Sequence, residues 1–98
     1  MEIIKQLEDT ALTLQLSGRL DTVTAPDLES VINSELGNIT KLTFDFANLE
    51  YISSAGLRVL LASQKKMAKQ GEMSLRNVSD EIKEIFDITG FSDILTVE

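Results

Sequence analysis

Two adjacent hydroxyls, Ser53 and Ser54, stand just before Ala55-Gly56-Leu57-Arg58, and their type and setting suggest a specific chemistry. A serine in such a place can be an acyl-transfer nucleophile, a phosphate acceptor or a helix cap. The nucleophile role needs a general base, and the chain contains no His. It also needs a Gly-x-Ser-x-Gly turn, whose first glycine position holds Ile52. Hydrolase chemistry is therefore set aside, and no enzymatic activity is expected. A phosphate-cradling loop fares no better, because a single glycine with no Lys behind it falls short of a P-loop. Two roles remain. If a helix begins at Ala55, Ser54 is its N-cap, covering backbone N–H groups that have no partner. The same hydroxyl, once phosphorylated, would carry about −1.5 to −2 charge and three acceptor oxygens at a helix end that tolerates anions.

Asp21, Asp45 and Glu50 invite comparison with a carboxylate metal site. With 16 acidic residues in the chain, chance proximity explains such a set, and solvated surface charge is the expectation for all three. The absence of Cys removes disulfides, thiolate nucleophiles and thiolate zinc sites. No metal and no cofactor is expected. A net charge of −7 disfavours nucleic acid, whose affinity comes largely from Lys and Arg displacing phosphate counterions. A partner with a basic surface suits the chain better. Lys65, Lys66 and Lys69 read as a solvated helix face, although Arg58, Ala62, Lys65 and Lys69 share one stripe that a partner could use.

The elements that must position the serines follow from hydrophobic period. Leu12, Leu14 and Leu16 alternate with polar residues, and Ile3 to Leu7 is a weaker strand before them, so an N-terminal hairpin turning at Glu8-Asp9-Thr10 is expected. Thr24 before Ala25-Pro26-Asp27 resembles a capped helix start, followed by Leu28, Val31, Ile32 and Leu36 at helical spacing and closed by Gly37-Asn38. Leu42, Phe44 and Phe46 define a central strand, and Ala47 to Ser53 is expected to be a loop. From Ala55 the period turns helical, with Leu57, Leu60, Leu61, Met67 and Ala68 on one face and a stop at Gly71. Met73 to Asn77 is a short strand, Ser79 caps a helix bearing Ile82, Ile85 and Phe86, Gly90 stops it, and Ile94 to Val97 is a last strand candidate.

This order predicts one α/β domain over residues 1–98: a mixed four- to five-stranded sheet with an N-terminal hairpin and three helices. In such sheets function collects in loops beyond the carboxyl ends of strands, which is where Ser53 and Ser54 fall. The acidic start Met1-Glu2-Ile3-Ile4-Lys5 lacks the basic and apolar regions of a signal peptide. No apolar run approaches the roughly 18 residues of a membrane span, so a soluble cytoplasmic protein without membrane insertion is expected.

At Tyr51-Ile52-Ser53-Ser54-Ala55-Gly56-Leu57-Arg58-Val59-Leu60-Leu61 the chain closely resembles the STAS domain family, in particular its stand-alone bacterial anti-sigma factor antagonists. Gly18-Arg19-Leu20-Asp21 is similar to the family's Gly-x-Leu/Val-Asp, and Ile85-Phe86-Asp87-Ile88-Thr89-Gly90-Phe91 to its Leu-Phe-x-x-x-Gly-Leu/Phe. The resemblance implies a transcription regulator that binds an anti-sigma factor, often itself a serine kinase, and so releases a sigma factor. It implies that phosphorylation of the loop serine breaks the complex and that a serine/threonine phosphatase restores it. Motif register assigns the phosphoacceptor to Ser54, with Ser53, which stands where many members carry Asp, as second choice. Asp21, Tyr51, Ser53, Ser54, Ala55, Gly56, Leu57 and Arg58 form the implied partner-binding set, Asp21 presenting the serine or contacting the kinase. The other reading keeps the fold and drops the switch: a scaffold subunit of a cytoplasmic complex or of a lipid or anion transport system.

Overall fold

The computed structural model describes residues 1–98. Strands β1 (Glu2–Glu8) and β2 (Ala11–Leu20) form the expected hairpin, closed over Asp9-Thr10 with Asp9 in the left-handed region at φ +54°. Its register sets Ile3 opposite Leu16 and Leu7 opposite Leu12, so Leu12, Leu14 and Leu16 bury one face while Thr13, Gln15 and Ser17 lie on the other. Lys5 points to the apolar side, opposite Leu14, and its Nζ reaches Glu35 Oε1 at 3.0 Å.

Helix α1 (Ala25–Glu35) leads to β3 (Lys41–Ile52), which runs parallel to β2, and helix α2 (Ser54–Ala68) leads to β4 (Glu72–Arg76), parallel to β3. The sheet order is therefore β1-β2-β3-β4, completed by helix α3 (Asp80–Thr89). Both parallel connections step in the same direction, and the right-handed sense that such crossovers take puts α1 and α2 side by side over one face. Leu28 and Ile32 from α1, Leu60 and Met67 from α2, and Ile82 and Phe86 from α3 meet Phe44, Phe46 and the β2 leucines in a single core of 24 buried residues.

Three expectations are corrected. Residues 47–52 are not a loop: β3 continues to Ile52, pairing Asn48 with Ser17, Leu49 with Gly18, Tyr51 with Arg19 and Ile52 with Leu20. Register shifts between Gln15 and Ser17 and between Gly18 and Arg19 break the period of two, so Leu49 and Ile52 are both buried although three residues apart. The last strand shrinks to one parallel bridge, Leu75 with Val97, because a short helical turn over Phe91–Asp93 takes up the residues after Gly90. Asp45 is not a solvated charge. It is only 9% exposed, and its Oδ1 accepts from Ala47 N at 3.0 Å and from Asn77 Nδ2 at 3.0 Å, with Arg76 Nη2 at 3.4 Å from Oδ2. Burial pushes this carboxyl up, but the bonds from Asn77 and Ala47 and the Arg76 charge outweigh it and hold the group below its ordinary range.

Helix α2 ends where its chain meets the β3 entrance. Gly71 N–H donates to Met67 O at 2.7 Å, and a Cβ at this position would lie 1.9 Å from Thr40 O. Only glycine fits that approach.

Candidate partner-binding site

The site forms where β2 and β3 end side by side. Ser53 N–H donates to Leu20 O at 2.9 Å, which fixes the start of α2 against the segment Asp21–Thr24. In that segment Asp21 Oδ1 accepts from Val23 N at 3.0 Å and Thr24 N at 3.1 Å. The Thr24 hydroxyl accepts from Asp21 N at 2.9 Å and donates to Arg19 O at 2.8 Å. Thr24 is thus the residue before α1 but does not cap it: its side chain turns back to β2, and no side-chain cap bond is made. The Thr24 N–H bond, opposed by partial desolvation and joined by the Val23 N–H, the Thr24 hydroxyl and Arg19, holds the Asp21 carboxyl below its ordinary range. Asp21 is therefore an anion that organises a turn, and Val23 projects from that turn 82% exposed.

Arg19 sits opposite Tyr51 in the β2–β3 register, with its guanidinium carbon 4.1 Å from the Tyr51 ring centroid. Its Nε is 3.7 Å from Asp21 Oδ2. The Arg19 cation thus lies between an aromatic face and a carboxylate on the Tyr51 side of the site.

The cap of α2 is Ser53, not Ser54. Ser53 is extended at φ −99°, ψ 174°, and its hydroxyl accepts from Gly56 N at 3.5 Å. Ser54 is the first helical residue, exposed, with its hydroxyl unbonded within the chain. Two serines are equally good caps by type; the strand ending at Ile52 decides the phase, because Leu57 must then face the core. Gly56 has a packing reason: a Cβ there would lie 2.7 Å from Leu20 Cγ and 3.0 Å from Ile52 Cγ1. The helix start is pressed onto the strand ends, and any side chain would lift it.

Among the residues expected to meet a partner, Tyr51, Ser54 and Arg58 are exposed, and Asp21, Ser53 and Ala55 are half-buried beside them. Gly56 and Leu57 face inward, Leu57 at 6% exposure, so they hold the surface in place without forming part of it. Arg19 and Val23 were missed as site residues. The signal for Arg19 lay in Gly18-Arg19-Leu20-Asp21, but its partner Tyr51 is found only through a register that bulges obscure. Next to Ser54, a shallow groove of about 390 Å³ runs between α1 and α2, with Pro26 and Glu29 on one wall and Ala55, Arg58 and Ala62 on the other. Arg58 is its only cation and Glu29 its only anion. Asp21, Asp45 and Glu50 do not converge, and no group of three or more potential metal ligands is formed. No helix is long and apolar enough to cross a membrane.

The sequence and the fold are matched by known proteins. The chain belongs to the STAS domain family, whose model matches residues 2–98. It is 32% identical to the BtrV protein of Bordetella bronchiseptica over 99% of this chain and 85% of that one. It is 28% identical to the anti-sigma-B factor antagonist of Listeria monocytogenes over 97% of this chain and 85% of that one. The fold matches the Bacillus cell fate determinant SpoIIAA in its phosphorylated form with a TM-score of 0.78 at 19% identity, covering 99% of this chain and 91% of that one.

Proposed function

We propose that this chain is a non-catalytic, cytoplasmic anti-sigma factor antagonist controlled at Ser54. In its unmodified form it binds an anti-sigma factor that is itself a serine kinase, and the sigma factor held by that kinase is released. The kinase transfers the γ-phosphoryl group of ATP to Ser54 Oγ: the bond to ADP breaks, the new O–P bond forms, and the hydroxyl proton leaves to the kinase. A serine/threonine phosphatase hydrolyses the ester with water and returns serine and phosphate. The observation that carries this reading is the contrast between the two hydroxyls. Ser53 is occupied as a cap, whereas Ser54 is exposed and unbonded. The relatives named above support the partner class.

One phosphate suffices as an off signal. A partner covering Ser54, Tyr51 and Arg58 would desolvate the hydroxyl, and a dianion buried there costs several kcal/mol, against the roughly 8 kcal/mol of a micromolar complex. The test is to incubate the protein with a serine-kinase anti-sigma factor from the same organism and ATP, then locate phosphate by mass spectrometry. Phosphate on Ser54 is expected; its absence from both Ser54 and Ser53 removes the switch. Ser54→Asp is expected to weaken kinase binding while Ser54→Ala retains it, and equal affinities would count against the mechanism.

A further inference from the structure

A phosphate on Ser54 would act first on the charges of the chain itself. Arg58 lies four residues further along α2, and both side chains are exposed. Residues so spaced are neighbours on a helix, about 5–6 Å apart at Cβ, and an acid placed N-terminal to a base is the favourable orientation. Arg58 takes part in none of the chain's three ion pairs. Arg19, the other cation beside the site, already stacks on Tyr51 and faces Asp21. Lys65, Lys66 and Lys69 begin 11 residues beyond Ser54, roughly 16 Å along the helix.

Resting on the Ser54 reading, we propose that Arg58 is the intramolecular receiver of the phosphate. Its planar guanidinium donates in parallel to two phosphoryl oxygens, which an ammonium cannot do. The arginine swings toward Ser54 and away from the groove between α1 and α2, leaving Glu29 as the only charged residue there. Phosphorylation therefore changes two surfaces together: a dianion appears at the helix start, and the groove loses its only cation. A partner that pairs an acidic group with Arg58 is rejected at both.

The test installs phosphoserine at position 54 of the full chain during synthesis, so that no kinase is needed, and follows the phosphate by 31P NMR against pH. Arg58→Gln is expected to raise the titration midpoint by about 0.3 pH units relative to the parent phosphoprotein. Arg58→Lys is expected to fall between the two, and Arg19→Gln to leave the midpoint in place. An unchanged midpoint in Arg58→Gln, or a shift produced by Arg19→Gln instead, overturns the assignment. Two-dimensional 15N spectra establish that each variant is folded. Failure of the kinase reaction above would remove the switch while leaving this measurement valid, so the two readings fail separately.

Discussion

Helices α2 and α3 both start with a serine cap after a strand, yet position by position they are built to opposite ends. Ser53 and Ser79 each accept from the N–H three residues on, at 3.5 Å and 3.3 Å. Behind the cap, α3 places Asp80 and Glu81 in its first turn, where acids complement the positive end of the dipole, and then buries Ile82. Helix α2 places Ser54, Ala55 and Gly56 there, with no acid at all. The first start is finished electrostatically and plugged into the core by a large side chain. The second lies flat on Leu20 and Ile52 because it has no side chain at the third position, and it lacks the negative charge that a phosphate on Ser54 would supply. Identical capping chemistry thus begins two different helix starts, and the next three residues make the difference: acids and a buried Ile82 in α3, an uncharged and closely packed turn in α2.

The comparison breaks first at the third position. Emptying Ile82 by Ile82→Ala is expected to cost about 3 kcal/mol through lost burial and a cavity, and filling Gly56 by Gly56→Val about 2 kcal/mol through overpacking, both read from urea denaturation. If Gly56→Val were neutral, α2 would not be pressed on the strand ends. On β3, where the Asp45 carboxylate holds Asn77 ahead of α3, Asp45→Ala is expected to cost about 2 kcal/mol, because Asn77 Nδ2 and Ala47 N–H lose their acceptor. The Asp45 carboxyl is held low in the fold, so the unfolded chain binds protons first as pH falls. Its contribution is complete at neutral pH and fades as pH drops through the lowered folded value, and Asp45→Ala should flatten that acid limb in pH-dependent unfolding. Asp21 acts with the same sign.

Smaller effects sharpen the contrast. Ser79→Ala is expected to destabilise by about 1 kcal/mol, and Ser53→Ala by about half that, given its longer bond. Smallest is the charge at the first position: Ser54→Asp should stabilise by about 0.5 kcal/mol and Asp80→Ser destabilise by a similar amount, both shrinking in high salt. Equal responses of opposite sign would mean that at the first position the two starts differ only by the missing charge.

The sequence reveals elements wherever one period runs unbroken. The hairpin and α3, with Ser79 before it and Gly90 after it in the left-handed region at φ +81°, are legible because alternation or helical spacing is bracketed by residues with one obvious task. The end of β3 is not, since two bulges in its pairing with β2 change which residues face inward, and Asn48, Glu50 and Tyr51 look like a loop. That misreading moved the cap from Ser53 to Ser54. Thr24 misleads for another reason: a threonine before a helix is a cap by type, but Asp21 and Arg19 O compete for its hydroxyl and win. Asp45 reads as exposed because strand alternation says only that it opposes the core, not that Asn77 and Arg76 fold over it. Of the site itself, the serines and Asp21 are visible in the motif, whereas the Arg19–Tyr51 stack exists only through cross-strand register.

Lys5 has a consequence for how many copies can coexist. Strand β1 is one edge of the sheet, and an open edge is a template on which further strands, from other molecules, can add. A lysine aimed at the apolar side of that edge and tethered to Glu35 makes each added strand bury or displace a charge. One amine on the apolar side of the edge thus opposes edge-to-edge stacking, and does so most where copies are most crowded.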